Sequence, residues 1–339
     1  MLITSLSQKG LERFTMRKIG VLCSGGDAPG MNAALRAVVR RGIARNLNIV
    51  AIHRGFQGIF DESFEKMIPR SVGNIIQTGG TVIKTARCQE FYTEEGVRKA
   101  SEILRSYKFD GLIAIGGDGT FRGLLELQKN WDGAIIGIPG TIDNDINGTD
   151  YTIGFDTAID TAIQALDRIR DTASSHNRVF IVEVMGRHSG FIALEVGIGS
   201  GAEEILIPED RPIDFKAVAK RIKEARDRGK TSLIVIVAEG VSEPNIFNFC
   251  KELTSQVGLE FQTRISVFGH IQRGGSPSAL DRWLATRMGA YAVDCIIDKS
   301  TGIMVGEQNH QLVKVPLSDT QQKRVVDRYA YSLIRDLAI

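Results

Sequence analysis

Cysteine is scarce in this chain: the four present, Cys23, Cys88, Cys250 and Cys295, show neither CxxC spacing nor the density of a disulfide framework. That excludes a stapled scaffold and a structural zinc site, and makes a reducing compartment, the cytoplasm, the plain expectation. A dominant charge is missing too. The 42 Lys and Arg against 40 Asp and Glu leave a formal charge of +2, so no polyanion such as nucleic acid is favoured and any anion site must be local. No apolar run approaches the roughly 20 residues of a membrane span, so no membrane partner is expected. Residues 1–16 lack an apolar core of signal-peptide length and are expected to be a flexible N-terminal extension, with Met16 a second plausible start. Fixed-period repeats and low-complexity tracts are absent.

What is present is glycine and buried strand. The 339 residues carry 36 Gly, only 8 Pro and 43% hydrophobic residues, enough for two domains or one large α/β body. Three continuous apolar runs end in glycine: KIGVLCSGG (18–26), DGLIAIGGDG (110–119) and AIIGIPG (134–140). Continuous apolarity predicts strands covered on both faces, as in a parallel sheet. MNAALRAVVRRGIA and TFRGLLELQ follow the first two with helical spacing, completing βα units. Residues 156–171 predict a further helix, with Asp156 early and Arg168 and Arg170 late. A second series then predicts strands near 178–184, 204–208, 231–238 and 264–269, helices near 189–198, 213–228, 245–257 and 277–298, and short strands at 303–307 and 311–315. The fold class is therefore α/β, two three-layer bodies with mostly parallel sheets, which bind ligands beyond the carboxyl ends of their strands.

The chemistry gathers at those ends. Ser24–Gly30 and Gly116–Thr120 are glycine-rich strand-to-helix turns, either simple tight turns or cradles whose N–H groups reach an oligophosphate. Neither matches the lysine-containing P-loop or the GxGxxG dinucleotide pattern. Asp118 inside the second turn reads as a helix cap, as a magnesium ligand bridging to phosphate, or as both. Asp143 and Asp145 of TIDND either build an Asx turn or place one carboxylate to take a hydroxyl proton. Arg178, Arg187, Arg264 and the glycine-flanked His270 and Arg273 could hold a sugar phosphate. Glu239, just past an apolar strand, suits sugar hydroxyls, while His176 and His188 read as ordinary polar loop residues.

GGDAPGMN (25–32), GGDGT (116–120), PGTIDNDINGTDYTIGFDTA (139–158), VEVMGR (182–187) and GHIQRGG (269–275), in that order, resemble the bacterial ATP-dependent 6-phosphofructokinases across nearly all of 17–318. The resemblance implies an ATP-binding domain of 17–154 plus 272–318 and a fructose 6-phosphate-binding domain of 155–271 plus 319–339. It implies Asp143 as the base for the sugar 1-hydroxyl, with Thr141 and Asp145 beside it, and Arg187 stabilising the transferring phosphoryl group. It implies Asp118 as a magnesium-associated acid, Mg2+ as cofactor and ATP as co-substrate, held by Gly25, Phe56, Arg87, Cys88, Gly117, Asp118, Gly119, Thr120 and Gly123. Met185, Gly186, Glu239, His270 and Arg273 resemble sugar-phosphate contacts within one subunit, and Arg178 and Arg264 those reaching a neighbour's site in a homotetramer.

Arg36, Arg40, Arg170, Glu203, Arg228 and Lys230 match an effector site for ADP or phosphoenolpyruvate. The chain departs at Pro69–Arg70, Thr231–Ser232 and Cys88–Gln89, so effector affinity or choice is expected to be altered. Pyrophosphate-dependent relatives tend to carry aspartate and lysine where this chain has Gly119 and Gly140, which favours ATP as donor. The alternatives are a pyrophosphate-dependent phosphofructokinase and a catalytically silent sensor, though the latter is expected to lose Asp143 or Arg187. An NAD-linked oxidoreductase leaves TIDND unexplained.

Overall fold

Strands β1 (Lys18–Cys23), β4 (Gly111–Gly116) and β5 (Ala134–Pro139) are buried almost end to end, because helices cover both faces of the sheet they share. The computed structural model describes residues 17–174, 178–243, 245–257 and 263–337. The expected N-terminal extension and His176 lie outside the described residues. In chain order the first half adds α1 (Met31–Ala44), β2 (Asn48–Ile52), α2 (Gln57–Phe60), β3 (Phe64–Lys66), α3 (Glu94–Ser106), α4 (Asp118–Asn130) and α5 (Phe155–Ser174). The second half holds β6 (Val179–Val184), α6 (Phe191–Ser200), β7 (Glu204–Leu206), α7 (Phe215–Asp227), β8 (Leu233–Ala238), α8 (Glu239–Ser242), α9 (Ile246–Val257) and β9 (Thr263–Val267). It closes with α10 (Ala279–Ile297), β10 (Ile303–Gln308), β11 (Gln311–Pro316) and α11 (Arg328–Leu337).

Two sheets result. The first has seven strands in the order β11-β10-β5-β4-β1-β2-β3, parallel except for its two antiparallel edge strands, β11 and β3. The second has four parallel strands in the order β7-β8-β6-β9. In the first sheet the chain winds one way from β1 to β2 and the other way from β4 to β5. The crevice between β1 and β4 is therefore a topological switch point, where open α/β sheets take ligands. Helices α3 and α4 bury Val97, Leu104, Phe121 and Leu124 on one face of that sheet. On the other face α1 and α10 join a core that runs on through α5 into the second sheet.

Helices α1 and α10 pack closely because small residues line the contact. A Cβ at Gly289 would come within 2.6 Å of the Ala34 carbonyl. The N-termini of α5 and α10 cap each other: the Gly154 and Thr157 amides donate to the Asp281 carboxylate at 2.7 and 2.8 Å. Ser278 ahead of α10 donates to Asp156 in α5. This joint sits where the chain passes from one sheet to the other.

The strands and helices read from sequence stand within two or three residues of their predicted ends. Strands β2 and β3 and helix α3 carry no reading from sequence. Helix α3 had a usable signal in Thr93, whose hydroxyl accepts from the Gly96 amide as an N-cap, followed by Glu94 and Glu95.

Candidate active site

The carboxyl ends of the two sheets face each other. From the first come the turn 24–30 after β1, the turn 116–120 after β4 and the loop 140–152 after β5. From the second come Met185–Gly190 after β6, Glu239 after β8 and a 3-10 turn, Gly269–Arg273, after β9. Gly30 caps α1 at φ 106°, a left-handed conformation that glycine takes without strain. The Gly140 amide donates to the Gly116 carbonyl at 3.0 Å, so the ladder between β4 and β5 continues into the loop that carries the two aspartates.

Asp143, on the loop from the first sheet, stands against Arg187 and Ser189 from the second. It is 3% exposed, and its Oδ2 lies 3.7 Å from Arg187 Nε while its Oδ1 has no hydrogen-bond partner. Its backbone is held on both sides: its amide donates to Thr141 Oγ1 at 3.2 Å, and Ser189 Oγ donates to its carbonyl at 3.2 Å. Burial pushes the Asp143 carboxyl above the ordinary carboxylate range, with the charges of Arg273 and Arg187 opposing and that of Glu239 adding. Asp145, half-buried, is pushed up to about 6 by burial first and then by the charges of Asp143 and Asp118.

Arg187 is presented by a strained turn. Its own φ is 51°, after Gly186 at φ 139°, and its amide donates to Glu239 Oε1 at 2.5 Å. Its side chain stays 60% exposed, free to meet a ligand. A cleft of about 460 Å³ opens there, lined by Asp118, Arg122, Arg187, His188, Glu239 and Glu243. His188, Arg122 and Glu243 were not singled out as site residues from sequence.

Arg273 and Asp27 join the two sides of the cleft, the Arg273 guanidinium donating to the Asp27 carbonyl at 3.2 Å. Met185 is fixed by its amide, which donates to the buried Gln272 Oε1 at 2.8 Å. His270 is exposed on the same turn. Asp143 Oδ1, Thr120 Oγ1 and Gln272 Nε2, on segments that form the cleft, are buried without a hydrogen-bond partner, as are Asn48 Oδ1, Thr81 Oγ1 and Glu209 Oε2. Such atoms mark places where a ligand or water completes the hydrogen bonding.

On the side of the glycine turns, Gly25 and Gly119 are exposed and Gly117 half-buried. A Cβ at Gly119 would meet nothing within 4 Å, whereas one at Gly140 would stand 2.9 Å from Ile115 Cγ2. Open space thus exists at 119, while Gly140 is required by packing alone. Phe56 is 6% exposed and stacks on Phe91, ring centroids 4.1 Å apart, over Gly123. Phe91 is a partner that sequence reasoning missed. Cys88 is buried against Glu90, its Sγ 3.7 Å from the carboxylate, and Arg87 is exposed.

Asp118 is engaged by Arg122 through both carboxylate oxygens, with Arg122 Nε 3.2 Å from Oδ1. Among the described residues no group of three or more His, Cys, Asp or Glu forms a metal cage. Magnesium does not require one, since it keeps several waters and binds through one or two carboxylates plus phosphate. Asp145, raised first by burial and then by the charges of Asp143 and Asp118, is a place where a cation beside these carboxylates would be favoured.

Away from the cleft, Arg170 and Lys230 converge on the half-buried Glu203, at 3.9 and 3.4 Å. Arg36 and Arg40 sit one turn apart on α1, and Arg228 is exposed at the end of α7. Arg264 is exposed on the edge strand β9, and Arg178 is half-buried just before β6.

Two α/β sheets thus meet carboxyl end to carboxyl end, with a buried carboxylate opposite a guanidinium and glycine turns beside a switch point. Residues 18–296 match the family model described as phosphofructokinase. The chain is 52% identical over 309 residues to ATP-dependent 6-phosphofructokinase 1 of Thermus thermophilus, covering 91% of this chain and 95% of that protein. The structure of phosphofructokinase from Saccharomyces cerevisiae is similar at TM-score 0.81 and 34% identity, over 95% of this chain and 47% of that one. A pyrophosphate-dependent phosphofructokinase from Nitrosospira multiformis, 21% identical over 92% of this chain and 86% of its own, shares the fold at TM-score 0.81. The chain belongs to the phosphofructokinase family.

Proposed function

We propose that the chain is an ATP-dependent 6-phosphofructokinase, transferring the γ-phosphoryl group of ATP to the 1-hydroxyl of fructose 6-phosphate. The reading rests on one observation above others: the buried Asp143 with an unpartnered Oδ1 and Arg187 Nε at 3.7 Å from Oδ2. A hydroxyl donated to Oδ1 loses its proton there as its oxygen bonds to the γ-phosphorus and the bond to the β-bridging oxygen breaks, releasing ADP. Arg187, already held toward Asp143, faces the charge that gathers on the phosphoryl oxygens. Asp145 and Thr141 position the loop, and the raised carboxyl of Asp143 gives a base strong enough to hold the proton once taken. Magnesium, when bound at Asp118 with Asp145 beside it, supplies charge neutralisation for the phosphates.

The seven-stranded body, with residues 17–154 and 272–318, is proposed to hold ATP over Gly25, Gly117, Gly119, Thr120 and Gly123, with Arg87, Cys88 and Phe56 at its flank. The four-stranded body, 155–271 with 319–339, is proposed to hold the sugar phosphate through Met185, Gly186, Glu239, His270 and Arg273. Exposed Arg264 on an edge strand supports a homotetramer in which it and Arg178 complete a neighbour's site. The convergence of Arg170 and Lys230 on Glu203, with Arg36, Arg40 and Arg228, supports an effector site for ADP or phosphoenolpyruvate. Four unpaired, buried cysteines, and no helix among the described residues long and apolar enough to cross a membrane, support a cytoplasmic setting.

Donor preference tests the reading. With fructose 6-phosphate and magnesium, the purified protein consumes ATP strongly over pyrophosphate. Preference for pyrophosphate instead would assign the chain to the other branch of the family.

A further inference from the structure

The loop that carries Asp143 is gripped from behind by one arginine of the C-terminal segment. Arg324 Nη1 donates to the Asn144 carbonyl at 2.9 Å and its Nη2 to the Asp150 carbonyl at 2.8 Å. Its guanidinium carbon lies 4.8 Å from the ring centroid of Phe191, the first residue of α6. Asn144 stands between the two aspartates in the left-handed region, at φ 50°, a conformation that the surrounding structure must hold in place. Its side chain also folds the loop on itself, accepting from the Thr152 amide at 3.0 Å and donating to the Asp150 carbonyl at 3.3 Å.

Phe191 follows directly on the turn that presents Arg187 and Ser189. One guanidinium therefore spans the loop of the base and the helix behind the turn of the phosphoryl-facing arginine. Within that arrangement Asp143 and Arg187 keep their 3.7 Å separation, and Ser189 adds a single hydrogen bond to the Asp143 carbonyl. The contact uses two nitrogens of one fork: two carbonyls are met by the same guanidinium and an aromatic ring lies beside it, which a lysine ammonium cannot reproduce.

We propose that Arg324 is a positioning residue for phosphoryl transfer, fixing the loop 141–152 against α6 so that the base and Arg187 face one another. The proposal rests on the reading of Asp143 as the base. Displacing a reacting group by about 1 Å costs on the order of 10²-fold in rate without a matching loss of binding.

The test compares Arg324→Ala, Arg324→Lys and Asp143→Asn in the full chain, with folding checked by thermal melting. Turnover of Arg324→Ala is expected to fall on the order of 10²-fold, with KM for both substrates within about twofold. Added guanidinium at non-denaturing, millimolar concentration is expected to restore part of that turnover saturably and to leave the parent unchanged. Arg324→Lys keeps the charge but not the fork, and is expected to lose about 10-fold. Parental turnover in folded Arg324→Ala, or a loss that guanidinium does not restore while Arg324→Lys is parental, overturns the proposal. If Arg324→Ala does not fold, Arg324→Lys decides alone: lowered turnover at parental KM supports the proposal and parental turnover sinks it. Parental turnover in Asp143→Asn, by contrast, defeats the assignment of the base whatever the Arg324 variants do.

Discussion

Arg273 and Asp27 lie 246 residues apart in sequence, yet the guanidinium of the first donates to the backbone carbonyl of the second at 3.2 Å, laid against Gly26. The contact binds the turn that follows the last strand of the second sheet to the turn that follows the first strand of the first. A ligand in the cleft is therefore met by both sheets at once. The same guanidinium lowers the Asp143 carboxyl against the effect of its burial, so it links the geometry of the cleft to the state of that carboxyl.

Gly26 is the weak point of that link. A Cβ there would stand 2.7 Å from Arg273 Nη1, and the long arginine side chain can move where backbone cannot. Gly26→Ala is expected to leave the melting temperature close to the parent's and to raise KM for fructose 6-phosphate on the order of 10-fold, the loss of about one charge-assisted hydrogen bond. Steady-state kinetics at saturating ATP would show it. An unchanged KM would mean that Arg273 binds the sugar phosphate from elsewhere or not at all.

The carboxyls of the cleft set an acid limit. Asp143 is raised by burial and Asp145 stands at about 6, so the pair keeps its protons to higher pH than isolated aspartates, which titrate near about 4. A base must be unprotonated to act, so kcat/KM is expected to fall toward acid at a pH above the ordinary aspartate range. Asp145→Asn removes a negative neighbour, makes ionisation of Asp143 easier and moves the acid limb to lower pH. A limb that stays in place in that variant would show the two carboxyls to be uncoupled.

Glycines 119 and 140 separate packing from donor choice. Gly119→Asp meets open space and is expected to cost no more than about 0.5 kcal/mol in stability while weakening use of ATP. Gly140→Lys pushes a Cβ to within 2.9 Å of Ile115 and is expected to destabilise the protein by about 1–3 kcal/mol. Urea titration ranks the two, and equal losses would contradict the geometry.

The joint between α5 and α10 carries stability. Asp281 is 1% exposed and accepts from the Gly154 and Thr157 amides and the Thr157 hydroxyl, so Asp281→Ala strands buried donors and is expected to cost about 3 kcal/mol. Burial outweighs those donors and lifts the Asp281 carboxyl from its ordinary 3.8 to about 6. The folded state thus holds this proton more tightly than the unfolded one. The contribution of Asp281 to stability falls as pH rises through that window. Asp281→Asn removes that slope, which denaturation at pH 4 and pH 7 would detect.

How much of this was legible in sequence follows from which interactions are local. KIGVLC, GLIAIG and AIIGIP announced β1, β4 and β5 because a strand buried on both faces must be apolar throughout, and the glycines after them marked the turns. That Asp143, Arg187 and Arg273 stand in loops beyond strand ends followed from the strand pattern, while the roles expected of them came from the family resemblance. Arg122 on Asp118, Phe91 on Phe56 and Arg324 on Asn144 were not. Each is an ordinary residue on a surface or in a core until folding brings its partner alongside, and Arg324 reaches across 180 residues to the Asn144 carbonyl. Strands β2 and β3 escaped for a related reason, since NIVAI lacks a glycine terminus and FEK is too short for a pattern.

The carboxylate of Asp143 can be removed with almost no change of shape, and turnover of ATP with fructose 6-phosphate in Asp143→Asn is the most direct measurement of its role. A fall on the order of 10² to 10⁴ in kcat, with KM for both substrates near the parent's and an unchanged melting temperature, is the expected result. Turnover within a few-fold of the parent would mean that the sugar hydroxyl gives its proton to some other group.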